Sequence, residues 1–347
     1  MRAVTFQDVG RIQLDDVPKP EIQEPTDVIL KVTTTAICGS DLHVLHGRIP
    51  GMMPGSILGH EFMGVVEAAG AEVKDFREGD RALASFMIPC GHCWFCGRGM
   101  FNRCPDQRVF GYGAFLGDIN GGQAEYVRIP AADICLHHVD KDLSDEQALF
   151  AGDIFTTGYD AAVEGNIQEG DVVAVQGCGP VGLFAIQAAR TFKPSVIYAL
   201  DSVDQRLEMA ESFGAVPVNV KSVHPPSFVQ DHTGGRGADV VLECVGALPA
   251  LAQAIDVVRA GGRISVIGVY SEPEFELPMS LVFTKGIDIK MCGTANIVGR
   301  WDDVLKLTRQ GAVDPTAIIS HRMKLDEAIE GYEVFEAREA LKVVMTP

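Results

Sequence analysis

The chain lacks a membrane-length hydrophobic run, an internal repeat and a low-complexity tract. Met1–Leu30 carries charges throughout, so no signal peptide is expected and the location is expected to be cytoplasmic. The longest charge-free stretch, Val172–Ala189, is broken by Gln176, Gly177, Gly179, Pro180, Gly182 and Gln187. It reads as strand, turn and helix rather than a membrane span. Basic residues are scarce: 29 Lys and Arg face 47 Asp and Glu, a net charge of −18. That balance argues against nucleic acid and anionic membrane surfaces as partners, and its simplest consequence is solubility. Nine cysteines in 347 residues do not make a secreted disulfide scaffold. Four crowd between Cys90 and Cys104, while Cys38, Cys135, Cys178, Cys244 and Cys292 are scattered, a distribution more typical of metal ligands.

With 47% hydrophobic and 22% charged residues the chain can bury a sizeable core, and its length favours two domains with a cleft between them. Its character changes near residue 150. Before it, Val28–Ala36, Gly64–Ala69, Ala82–Met87 and Ala124–Ile129 read as strands of a small barrel or sandwich. After it, strands Val172–Gln176, Ser195–Leu200, Val216–Val220, Asp239–Val245 and Arg263–Tyr270 alternate with helical periods. One helix, Leu248–Arg259, is expected to stop at Gly261–Gly262. The alternation predicts an α/β domain with a parallel sheet and right-handed crossovers. Helices Trp301–Arg309 and Leu325–Phe335 and strand Leu341–Met345 close the chain without a polar linker. They are expected to pack back on the first domain, leaving the parallel-sheet domain as an insertion.

Three constellations carry chemistry. Cys90, Cys93, Cys96 and Cys104 form C-x2-C-x2-C-x7-C, with Gly91, Gly97 and Gly99 giving the turns freedom. Four thiolates returning to one point suit a closed, structural zinc site; an iron–sulfur cluster or four unliganded thiols are the alternatives. Cys38, His60, Glu61 and Asp153 are each bracketed by glycine and each weak alone. As a set of thiolate, imidazole and carboxylates they suit a metal with one exchangeable position. Gly177-Cys178-Gly179-Pro180-Val181-Gly182 is a G-x-G-x-x-G between a strand and a helix, as a dinucleotide's pyrophosphate requires. Asp201 ends the next strand 19 residues on, where a carboxylate binds ribose hydroxyls and repels a 2′-phosphate. Followed by Ser202 rather than Arg, it favours NAD over NADP, with Arg206 in reach of the same ribose or the adenine; the alternative is that Asp201 only caps a helix.

Cys38-Gly39-Ser40-Asp41-Leu42-His43, Gly59-His60-Glu61, the cysteine cluster and the glycine-rich turn occur in the order and spacing of zinc-dependent medium-chain alcohol dehydrogenases, which the whole chain resembles. The resemblance implies an α/β architecture: a GroES-like β-rich catalytic domain (1–150), an inserted Rossmann domain with a doubly wound parallel sheet (151–290), and a C-terminal return (291–347). It implies two zinc ions per chain and NAD. Cys38, His60 and Asp153 become catalytic zinc ligands, Glu61 a carboxylate able to enter the coordination shell, and Asp41 the group that orients His60. Some branches carry Cys at the position of Asp153. Thr157 and Val269 are implied as nicotinamide-side contacts, and Val245 as a further cofactor-binding residue. Lys342 is implied as a cation near the pyrophosphate, the more so because Gly39 fills a position that is basic in some relatives. The implied reaction passes a hydride from a small-molecule alcohol to NAD while a proton leaves through the Ser40 hydroxyl, the cofactor ribose and His43. Phe86 and the loop Val109–Gly122 are expected to shape the pocket. Gly121–Val127 and Asp153–Tyr159 look closest to the formaldehyde dehydrogenase branch, some of whose members carry out dismutation. Polyol and threonine oxidation are further possibilities, and a non-catalytic nucleotide-binding protein is the reading from another class. Edge strands near Arg263–Met291 are expected to pair subunits into homodimers or homotetramers.

Overall fold

The computed structural model describes residues 1–270 and 274–347, in two compact units. One comprises Met1–Asp153 with Asn296–Pro347, the other Ile154–Ala295. Among the described residues no helix is long and apolar enough to cross a membrane.

The first unit is built on strand Val28–Ile37, whose near-continuous burial follows from partners on both sides. It pairs antiparallel with Glu61–Ala69, with Val343–Thr346 and with Tyr126–Ile129. The register sets Ala36 opposite Glu61 on one side and Val344 on the other. Cys38 leaving the first strand, His60 entering the second and Lys342 entering the third therefore meet at one end of the sheet. Phe62, Phe110, Leu30, Val127 and Ile88 fill the core beneath. The expected strand Ala82–Met87 is two, Arg81–Ala84 and Met87–Ile88. The chain breaks where the Phe86 N–H turns aside to Gly152 O. Met87–Ile88 then pairs with Arg108–Val109, and this short ladder closes the base of the cysteine loop.

The second unit is a six-stranded parallel sheet in the order Val216–Asn219, Val196–Asp201, Val172–Gln176, Ala238–Glu243, Val258–Val266, Asp288–Met291. In chain order this is 3-2-1-4-5-6, the doubly wound arrangement with its crevice beyond the carboxyl ends of the first and fourth strands. Val172–Gln176 and Ala238–Glu243 are buried along their whole length because helices cover both faces. The expected glycine stop does not form. Helix Leu248–Val257 runs directly into extended Val258, which pairs with Ala238. Gly261 and Gly262 lie inside strand Val258–Val266, in a bulge where the register jumps before Arg263. Sheet pairing ends the helix before the glycines are reached.

Candidate metal centres and dinucleotide site

Cys38, His60, Glu61 and Asp153 each offer a donor atom, and these atoms all lie within 4.8 Å of one another. Cys38 is brought there as the residue before helix Gly39–Leu45, and Asp153 as the residue that ends the 3-10 turn Phe150–Gly152. His60 Nε2 is 3.2 Å from Asp153 Oδ2. Ser40 Oγ lies 3.2 Å from both Cys38 Sγ and His60 Nε2. On the far side of the ring, His60 Nδ1 is 3.1 Å from Asp41 Oδ1, though off the axis of an aligned hydrogen bond. Phe86 and Tyr112 present edges to the imidazole, with centroids 6.2 and 5.5 Å away.

The donor set fits a divalent cation. Glu61 Oε2 is buried with no hydrogen-bond partner, an arrangement that costs free energy unless positive charge answers it. Burial opposes a charge on His60, yet the Asp41 carboxylate, with Tyr112 and Asp153, outweighs it and raises the imidazole well above its ordinary value. A proton there answers the same negative field that a metal would. Thiolate, imidazole and carboxylate from three separate segments are zinc donors.

Lys342 requires a correction. Expected at a pyrophosphate, it is 1% exposed and donates to Glu61 Oε1 at 2.7 Å and to Ile37 O at 2.9 Å. Burial works against its charge, but Glu61 and Cys38 together raise its pKa. The ammonium belongs to the metal centre, because the pairing of Val343–Thr346 with Val28–Ile37 carries it inward. A phosphate finds no access to it, and it does not make up for the small side chain at Gly39. His43 is half-buried, and burial, then Arg48 and His46, lower its pKa. His46 is an exposed partner of Glu336.

The thiols of Cys90, Cys93, Cys96 and Cys104 also converge within 4.8 Å. No disulfide joins any of the nine cysteines, all of which lie among the described residues. Cys93 and Cys96 Sγ are 3.5 Å apart, too far for a disulfide and near the ~3.8 Å edge of a tetrahedron with zinc–sulfur bonds of about 2.3 Å. A multi-iron cluster divides its four thiolates among separate irons and would spread some of them more widely than this convergence within 4.8 Å. Backbone donation from Cys96 holds Cys93 down at about 7, while burial pushes Cys96 up to about 12. Gly91 and Gly99 adopt positive φ in this loop; Gly97 does not and is not needed there for its conformational freedom.

In the second unit the glycine-rich turn has a separate reason for each glycine. Gly177 has φ +81°, and a Cβ there would lie 2.7 Å from Val245. A Cβ on Gly182 would meet Gly177 O at 1.8 Å, so only glycine lets the helix seat on the strand. At Gly179 a Cβ would meet nothing nearer than Arg206 Nη1 at 4.0 Å, which leaves room for a ligand. Pro180 and Val181 begin helix Pro180–Arg190, whose N-terminus has no side-chain cap. Asp201 accepts from Cys178 N at 2.7 Å and from Ser202 and Val203 N. It thus braces the turn and does not cap helix Asp204–Ser212, whose N-cap is Val203, while Arg206 Nη1 stands 3.9 Å away. Val245 and Val269 are 49% and 80% exposed beyond the carboxyl ends of their strands, and Thr157 is half-buried on helix Ile154–Glu164. Sequence reasoning missed Glu243. It is fully buried and accepts from Val245 N, Gly246 N and Tyr270 OH, so it ties together the two segments that carry the valines. An acid ending an apolar strand beside a Val-Gly pair was its only signal.

Residues 24–140 match the family described as "Alcohol dehydrogenase GroES-like domain", and residues 180–310 match "Zinc-binding dehydrogenase". An uncharacterized zinc-type alcohol dehydrogenase-like protein of Bacillus subtilis strain 168 is 34% identical, with all of both chains covered. Alcohol dehydrogenase TADH from Thermus sp. ATN1 superposes with a TM-score of 0.97 at 42% identity, covering 100% of this chain and 99% of that one. Two further solved structures, each covering 100% of this chain and 99% of their own, contain coenzyme. One is described as a zinc-binding dehydrogenase of Sinorhizobium meliloti 1021 and is bound to NADP (29% identity, TM-score 0.87); the other is an Escherichia coli CFT073 alcohol dehydrogenase complexed with NADH (26%, 0.89).

Proposed function

The chain belongs to the zinc-type medium-chain alcohol dehydrogenase family, an oxidoreductase family, and on that premise we propose that it oxidises a small alcohol with NAD. The observation that carries the reading is the convergence of Cys38, His60, Glu61 and Asp153 donor atoms within 4.8 Å. Cys38, His60 and Asp153 hold a zinc ion in this reading, with Glu61 as a further carboxylate; Cys90, Cys93, Cys96 and Cys104 hold a second, structural one. Zinc supplies Lewis acidity toward the substrate oxygen, and NAD supplies the hydride acceptor.

The chain's own residues do the rest. The Ser40 hydroxyl, within hydrogen-bond distance of two ligand atoms, takes a proton without holding charge. His43, its imidazole favoured neutral by burial and by Arg48 and His46, accepts that proton. Phe86 and Tyr112 give the centre an apolar wall, which favours an apolar alcohol. Gly177, Gly179, Pro180, Val181 and Gly182 hold the pyrophosphate, and Asp201 and Arg206 hold the adenosine ribose. Thr157 and Val269 contact the nicotinamide, and Val245 contacts the coenzyme. The charge of Asp201 supports NAD over NADP.

Self-association is part of the reading. Among the described residues Asp288–Met291 is a sheet edge, paired on one side only, and the neighbouring helix Met279–Lys285 buries none of its residues, with Phe283 84% exposed. A second copy fits that edge. Nine cysteines without a disulfide among the described residues suit a reducing, cytoplasmic setting.

The experiment is nicotinamide absorbance with NAD or NADP and a panel of apolar alcohols, polyols, threonine and formaldehyde, beside metal analysis. Two zinc ions per chain, one of them lost in Cys38→Ser together with activity, is the expected result. One zinc per native chain, or no turnover on any substrate, defeats the assignment.

A further inference from the structure

Behind His60 runs a buried chain of polar side chains that the reaction above does not use. Asp41, Gln123 and Tyr332 are 1%, 0% and 2% exposed. Gln123 Nε2 donates to Ala36 O at 3.1 Å and to Asp41 Oδ2 at 3.2 Å, and its Oε1 accepts from Tyr332 OH at 2.8 Å. The Ala36 carbonyl can only accept, so the amide must turn its NH2 group toward it. The same group then faces Asp41, and Tyr332 is left as the donor. Asp41 Oδ2 thus receives two N–H groups, from Gln123 and from Cys38 N at 2.9 Å, and Oδ1 is left facing His60 Nδ1 at 3.1 Å, off the axis of an aligned hydrogen bond. Gln123 has little freedom to swing away: it packs so closely on Gly59, beside His60, that a Cβ there would lie 2.3 Å from its Cγ.

We propose that Gln123 and Tyr332 are positioning residues for the metal centre, acting on it through Asp41 and His60. Tyr332 and Ala36 set the amide, the amide sets the carboxylate, and the carboxylate keeps the proton of the neutral imidazole on Nδ1. Nε2 is then presented as a lone pair. Helix Ala328–Glu336, which carries Tyr332, comes from the far end of the sequence, so the C-terminal return completes the site. The inference rests on the reading of Cys38, His60 and Asp153 as zinc ligands.

The test uses the zinc-loaded full chain with Gln123→Met, Tyr332→Phe and the double variant. Zinc release is followed by chelator competition, with the cysteine-cluster zinc as internal reference, and the centre is probed by the d–d bands of cobalt-substituted protein. Gln123→Met should weaken one zinc about tenfold, the low end for groups that orient metal ligands, and shift the cobalt bands. Tyr332→Phe should weaken it about fivefold, the equivalent of one hydrogen bond. The double variant should be no weaker than Gln123→Met alone, because Tyr332 reaches the metal only through the amide. Unchanged affinity for both zinc ions, or a Tyr332→Phe effect that persists undiminished without the amide, overturns the proposal. If Gln123→Met fails to fold, the zinc affinity and cobalt spectrum of Tyr332→Phe, which loses one oxygen, decide it. Wild-type protein binding a single zinc would instead overturn the ligand reading, and this inference with it.

Discussion

Replacing Lys342 by Met tests the correction made to the cofactor site. Lys342 and Glu61 are each 1% exposed and 2.7 Å apart. With an effective dielectric near 20, charges at that distance attract by about 6 kcal/mol. Removing each from water costs several kcal/mol, so the intact pair contributes little net stability. Removing one partner is different: Glu61 keeps its burial and loses its answering charge, and Ile37 O loses a donor. The expected cost is about 3–5 kcal/mol. The assay is urea unfolding of chelator-treated protein, with Glu61→Leu/Lys342→Met alongside. The single variant should unfold at clearly lower urea, and the double variant should recover most of the loss. NAD affinity, measured by fluorescence on folded protein, should stay within about twofold of wild type, because no phosphate contact is removed. Unchanged unfolding with NAD binding weakened about tenfold would refute the reasoning and return Lys342 to the pyrophosphate.

Asp201→Asn keeps an acceptor for the turn but removes the charge, and should raise the NADP/NAD efficiency ratio about tenfold or more; an unchanged ratio removes the case for NAD. Gly182→Ala should abolish coenzyme binding or the fold of the second unit, since the new methyl would meet Gly177 O at 1.8 Å, whereas Gly179→Ala should fold normally and bind NAD more weakly; circular dichroism and NADH fluorescence separate the two. His43 should give alcohol oxidation a pH limb centred below the ordinary imidazole value of 6.5, with the rate falling as pH drops and the group gains its proton; that limb should vanish in His43→Asn. The same lowered pKa means its contribution to stability is present above that value and is lost as pH falls through the native pKa, which acid titration of the Asn variant checks.

Wherever the chemistry is local, it was legible in the residues. Four cysteines within fifteen positions can meet by turns alone, and a glycine-rich turn between a strand and a helix reports its own backbone. The β–α alternation after residue 150 likewise follows from hydrophobic periodicity. The strand break at Phe86 and the helix end at Val257 were not legible, because each is decided by a partner distant in the chain: Gly152 O for one and Ala238 for the other.

Spacing alone determined one compact cysteine cluster and one glycine-rich turn, while Cys38, His60, Glu61 and Asp153 were drawn together by resemblance to a family. Tertiary structure decided what each charge faces. A lysine's letter gives its charge but not its depth, and strand register alone placed Lys342 against Glu61 instead of in solvent. The same long-range pairing brings Tyr332 to Gln123 across 209 positions, a contact no local period encodes, since loop closure over such a distance is settled only when the whole core packs.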